Sequence, residues 1–301
     1  HPQVATQYYN IGQVYYSQKN YDKALEYNEK ALEGLLVNGV NLPLAASAYY
    51  NIGVIYYNRK YYAKSLLFLE KSLAIDRKIL DENDCSIRQT LQLISDATKR
   101  QTQQISDQIT FYNGAGEIYY EKGDYSKALD YFKKSLNLDL SFFGENHPEV
   151  ASGYYNIGYV YFAQGDYSKA LEYFEEVLKI RLSVYGENHS RVASVYNDIG
   201  EIYSVQGDDF KALDYFKKSL KIVLSVYGEN HSQVSSIYDH IGEVYFAQKD
   251  YSKALYYFEE SLKIRLSLFG ENHPEVALSY YSIGSLYIIQ GDKSKALNYY
   301  E

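Results

Sequence analysis

HPEVASGYYNIGYVYFAQGDYSKALEYFEEVLKIRLSVYGEN, residues 147–188, decides how the rest of the chain is read. Val150, Tyr154, Ile157 and Tyr161 recur with a helical period, and Ala170, Leu171, Phe174 and Leu178 begin a second such run, so two amphipathic helices, A and B, follow one another. Between them stands Gly165-Asp166. The glycine supplies the left-handed residue that closes helix A, and the aspartate caps helix B. A connection this short makes the two helices antiparallel neighbours.

Working outward, Gly158 returns as Gly116, Gly200, Gly242 and Gly284, each 42 residues from the last. The turn returns as Gly123-Asp124, Gly207-Asp208 and Gly291-Asp292. Helix B stops at Gly144, Gly186, Gly228 or Gly270, inside the string GENHP or GENHS, where Pro148 and Pro274 suit the first turn of the next helix A. A single two-helix repeat leaves an apolar face bare, so neighbours must stack and stability becomes a sum of repeat and interface contributions. Gly158 and Ala170 are small because the helices cross closely there, with Tyr154, Tyr161 and Phe174 filling the space beside the crossing.

The first part of the chain keeps the pattern less strictly. Gly12 and Gly53 belong to two further repeats, but Gly53 and Gly116 lie 63 residues apart, one and a half periods. Residues 86–113 contain neither glycine nor proline, and Ile87, Leu91, Ile94, Thr98, Ile105, Ile109 and Tyr112 keep a helical phase. The spacing predicts a degenerate helix A followed directly by the next one, and the phase allows one long helix around 86–122 without deciding between one helix and two. The resulting organisation is residues 1–85 as two repeats, 86–107 as a degenerate half repeat, and 108–301 as repeats of regular period. Local departures are Asn28 at the Phe174 position and Asp209 and Lys293 at the Tyr167 position; those repeats are expected to pack less well.

Tyr154, Ile157-Gly158, Tyr161, Ala170, Phe174 and Val177 fall where the tetratricopeptide family has its aromatic, Leu-Gly, Tyr, Ala, Phe and Ala positions, so the sequence resembles that family over nearly its whole length. The longer period and the HPEVA string at 147–151 and 273–277 are similar to the long-helix variety in kinesin light chains and nephrocystin-type proteins. The resemblance implies an all-α, right-handed superhelical solenoid of antiparallel helix pairs, with an irregular junction near 86–122.

Composition narrows the function. A net charge of −8 argues against a nucleic-acid groove, which depends on clustered Lys and Arg, so no nucleic-acid partner is expected. No apolar run approaches the roughly 18 residues of a membrane span, so no membrane partner is expected. One cysteine, Cys85, and no secretory signal fit a cytoplasmic protein. The absence of methionine and the opening HPQVA predict a fragment of a longer protein, with end-to-end contacts at both termini. No phosphate-binding glycine loop or nucleophile motif occurs, and pairs such as Glu175-Glu176 lie on an outer face without an apolar wall, so neither an enzyme nor a cofactor is expected. His147, His189, His231 and His273 recur once per repeat and are too far apart to share a metal.

In the resembled family, ligands lie along the concave face made by the A helices. The corresponding positions here are Tyr9 and Asn10; Tyr50 and Asn51; Glu117 and Tyr120; Tyr155, Asn156, Tyr159 and Phe162; Asn197 and Glu201; Asp239, Glu243 and Phe246; and Tyr281. Asparagines match positions that hydrogen-bond a ligand backbone, and tyrosines supply rigid contact area. The basic residues with which some relatives clamp acidic ligands are missing from these positions. The acids of the middle repeats favour a basic or neutral segment, so the expected partner is a protein or peptide. Two other roles fit the same sequence: an assembly scaffold of cytoskeletal or ciliary type, and the regulatory arm of a larger enzyme.

Overall fold

The computed structural model describes residues 2–36 and 41–301, and among them there are fourteen helices and no strand. Two compact bodies divide between Gln108 and Ile109. The first holds α1 (Pro2–Ser17), α2 (Tyr21–Leu36), α3 (Leu42–Asn58), α4 (Tyr62–Ile79) and the start of α5 (Cys85–Glu121). The second holds the end of α5, then α6 (Tyr125–Phe143), α7 (Pro148–Ala163), α8 (Tyr167–Tyr185), α9 (Ser190–Val205), α10 (Asp209–Tyr227), α11 (Ser232–Ala247), α12 (Tyr251–Phe269), α13 (Pro274–Gln290) and α14 (Lys293–Tyr300). Within each body an A helix packs most extensively on its own B helix, and that B helix then packs on the next A helix. The long helix that the phase allows around 86–122 is continuous from Cys85 to Glu121.

The turns between helices work as the sequence predicts. Asp124, Asp166, Asp208, Asp250 and Asp292 each accept the backbone N–H three residues on. That residue is always a lysine, and its ammonium returns to the same aspartate while lying 4.7–5.1 Å from the ring of a helix-A tyrosine, as Lys211 does over Tyr203. Gly123, Gly165, Gly207 and Gly291 precede the cap with φ between 73° and 85°, but Lys19, Lys60 and Lys249 hold the same left-handed conformation with a side chain attached.

The recurring linker histidines have a structural task. His147, His189, His231 and His273 are the N-caps of the A helices: Nδ1 accepts a backbone N–H two residues on at 3.1–3.2 Å. Each ring stacks 4.2–4.5 Å from the aromatic residue four places earlier, such as Phe143 or Tyr185. Accepting at Nδ1 places the ring proton on Nε2 and occupies the lone pair that would otherwise bind a metal.

The seam between helices A and B repeats closely. A Cβ on Gly116, Gly200 or Gly242 would stand 2.5–2.7 Å from Phe132, Phe216 or Phe258, so only glycine admits the ring. Beside it a helix-B tyrosine stacks on one helix-A tyrosine and tilts against another: Tyr173 lies 5.5 Å from Tyr161 and 6.0 Å from Tyr154. Deeper still, Ser72 and Ser219 donate to the Ala46 and Ala193 carbonyls at 2.9 and 2.8 Å.

At the departures, Asn28 is buried, donates to the Ala24 carbonyl at 2.7 Å and leaves its Oδ1 without a partner. Phe210, beside Asp209, is 85% exposed.

Candidate functional site

In each A helix the apolar stripe faces helix B, so residues one and four places from it stand on the opposite side, where successive A helices meet. They meet through polar and aromatic side chains. Asn58 on α3 donates to the Tyr16 hydroxyl on α1 at 3.1 Å, Tyr120 on α5 lies 5.6 Å from Tyr159 on α7, and His240 Nδ1 on α11 is 3.0 Å from the side-chain Oδ1 of Asn197 on α9.

Three hollows open along this side. In the first body, a cavity of about 440 Å³ has Tyr9, Tyr50, Asn51, Ser72, Asp76 and Thr90 in its walls. In the second, one of about 280 Å³ is lined by Glu117, Tyr120, Tyr155, Asn156 and Tyr159 over Phe132. A smaller one of about 120 Å³ lies among Ser194, Asn197, Asp198, Ser219, Val223 and Ile237. Nine of the sixteen positions named from the sequence therefore border a hollow: Tyr9, Tyr50, Asn51, Glu117, Tyr120, Tyr155, Asn156, Tyr159 and Asn197. Tyr281 borders a wider recess on α13 and α14, lying 6.0 Å from the Tyr300 ring. Asn10 is exposed on α1. Phe162 and Phe246 are spent on ring contacts with Tyr167 and Tyr251, each at 5.8 Å.

The acids of the middle repeats are less free than their sequence positions suggest. Asp239 is held by Arg265 of α12 at 2.6 Å, and Arg265 also reaches Glu275 at 3.1 Å and donates to the Ser279 hydroxyl at 2.7 Å. Glu201 accepts from the Asn197 amide at 2.7 Å and lies 3.5 Å from His240. Burial, and then the nearby Glu201, push the Asp198 carboxyl up to about 7, while Tyr155 and Arg181 pull the other way. Burial also raises Glu201 and Glu243, and lowers the His240 imidazole.

Sequence reasoning on helix A alone missed two cations. Arg181 and Arg265 occupy the same position of helix B, and their long side chains cross the seam to the helix-A side. Arg181 donates to the Arg191 carbonyl at 2.9 Å and the Ser194 hydroxyl at 3.0 Å, with its guanidinium 5.3 Å from the Tyr155 ring. The available signal was their shared register, 84 residues apart, at a helix-B position that is charged in other repeats as well.

The tetratricopeptide-repeat family model matches residues 3–78, 107–183, 149–223, 191–267 and 233–301. The chain belongs to the tetratricopeptide-repeat family. No curated protein matches its sequence. Among solved structures it is similar to BtubC (BKLC) from P. vanneervenii, with TM-score 0.54 and 20% identity over 79% of this chain and 87% of that one. It is also similar to a putative kinesin light chain with nearly identical TPR-like repeats from Podosopora anserina, with TM-score 0.56 and 16% identity over 64% of this chain and 90% of that one. The apo form of RapI gives TM-score 0.55 and 16% identity over 98% of this chain and 74% of that one. At these identities the likeness is one of fold. Tetratricopeptide repeats generally serve protein interaction, and this chain presents their paired-helix architecture in the long-helix form. Among the described residues no helix is long and apolar enough to cross a membrane, and no group of His, Cys, Asp and Glu is arranged to hold a metal ion.

Proposed function

We propose that this tetratricopeptide-repeat chain is a non-catalytic, cytoplasmic interaction module that holds extended polypeptide segments of basic or neutral character along the helix-A side. The observation that carries the reading is the hollow between α5 and α7, where Tyr120, Tyr155 and Tyr159 stand beside Asn156 and Glu117 without a basic residue in the lining. Tyrosine offers flat contact area at little entropic cost, and an asparagine amide pairs with a peptide N–H and C=O together. The carboxylate of Glu117 sets the preferred charge and speeds association more than it adds affinity.

Peptides selected from a random display library on the full chain test this directly. Tyr159→Ala with Asn156→Ala is expected to weaken their binding at least tenfold, about 1.4 kcal/mol. Tyr256→Ala, on an exposed part of α12, should leave it unchanged. The reverse pattern sinks the proposal.

A second reading, assembly by stacking of a further helical element on α13 and α14, is favoured by the exposed Leu278, Tyr281 and Leu297 on those helices. It predicts that Leu278→Asp abolishes assembly with a partner while peptide capture persists.

A further inference from the structure

One position of helix B carries opposite charges in different repeats. On α12 it is Arg265, whose guanidinium contacts Asp239, Glu275 and Ser279. On α8 it is Arg181, anchored on the Arg191 carbonyl and the Ser194 hydroxyl and set against the Tyr155 ring. In both repeats a guanidinium from within the chain closes the gap between helix B and the start of the next helix A. On α4 the same position is Asp76, only 6% exposed.

The surroundings of Asp76 are open where a guanidinium fills those of Arg181 and Arg265. It stands in the wall of the 440 Å³ hollow with Tyr9, Tyr50, Asn51 and Thr90, and none of the described lining residues is basic. Thr90 holds the place that Ser279 holds beside Arg265. Ser72, one turn away, gives its proton to the Ala46 carbonyl at 2.9 Å. Asn51, in the same wall, has an amide nitrogen without a hydrogen-bond partner. Burial, followed by the nearby Asp84, pushes the Asp76 carboxyl up against a smaller pull from the Ser72 hydroxyl, the direction expected of an acid that lacks a cation opposite it.

We propose that the Asp76 hollow receives an arginine side chain of a bound partner segment, supplying from outside the guanidinium that Arg181 and Arg265 supply from within. This rests on the reading of the helix-A side as a polypeptide-binding face and names the residue it selects at one place. Arginine is favoured over lysine because its planar fork pairs with a carboxylate through two parallel bonds and lies flat on tyrosine rings such as Tyr50. Both internal examples are arginine as well.

The probe is a random dodecapeptide display library panned on the full chain and on Asp76→Asn, which keeps the shape and removes the charge. The wild-type pool should be enriched in arginine, a selected peptide should bind Asp76→Asn at least tenfold more weakly, and changing its arginine to citrulline should cost as much. A measurement that needs no variant is competition against the selected peptide on the wild type: N-acetylarginine amide should displace it and N-acetylcitrulline amide should not. Peptides that bind without arginine, prefer lysine, or bind Asp76→Asn within twofold of wild type overturn this inference while leaving the proposed function standing. A library that yields no binding peptide overturns both.

Discussion

The seam between helices A and B and the outward side of helix A obey different rules, although they share a helix. Along the seam, Gly116, Gly200 and Gly242 face Phe132, Phe216 and Phe258 in nearly the same geometry each time. On the outward side, the residue at the Tyr155 position becomes Asn197, then Asp239, then Tyr281 in successive repeats. Packing admits few solutions because a Cβ or a lost ring is felt at once. A face that touches its own helix B only at the tips of long side chains, as Asp239 meets Arg265 and Tyr281 meets Tyr300, is freer to differ, and difference at fixed spacing is what selective binding of an extended chain requires. Stability therefore concentrates in the seam, and the proposed function puts recognition on the other side.

Substitutions that respect or violate this division should separate cleanly. The largest effect is expected from Phe216→Ala, which removes a fully buried ring under Gly200 and should cost about 3–5 kcal/mol in denaturant unfolding. Selected peptides should still bind the residual folded fraction with unchanged affinity.

Next in size is a change at Asp139, the α6 counterpart of Asp76 and Arg265. Burial, then Glu149, push its carboxyl up to about 6, and its Oδ1 has no hydrogen-bond partner. An acid whose folded value is raised binds its proton more tightly in the folded chain. Its stabilising contribution is thus full below the unfolded value near ~3.9 and disappears as pH rises through about 6. Asp139→Asn is expected to raise stability at pH 8 by about 1–3 kcal/mol and to flatten the loss between pH 4 and 6, as read by unfolding at several pH values. Equal stabilisation at pH 4 and pH 8 would contradict the assignment.

The smallest effect concerns the turns. Lys249 closes α11 at φ 62°, where four other repeats place glycine. Lys249→Gly should gain roughly 0.5–1 kcal/mol by thermal melting, whereas Gly207→Lys should lose a similar amount. Neither should alter peptide binding.

The same division explains what could be read from the sequence. The helix pairs and their Gly-Asp turns were readable because capping and breaking signals are local: Asp166 and Gly165 act on their own backbone, whereas the lack of glycine and proline over residues 86–113 allowed a continuous α5 without deciding it. The histidine caps were not, since histidine is outside the usual capping set and His147 works with a ring four residues before it. The outward side was readable only in part. Helical period alone locates Tyr155 and Asn156, but nothing in period tells that Arg265 crosses from helix B to neutralise Asp239. That depends on side-chain reach between elements, a long-range fact that no window of sequence contains.

The most direct measurement is site-specific photocrosslinking with a benzophenone side chain placed at position 159 on α7 or at position 256 on α12, both exposed. With display-selected peptides, the account predicts crosslinked product from position 159, lost on adding excess unlabelled peptide, and none from position 256. Crosslinking from position 256 with none from 159 would place recognition on helix B and contradict it.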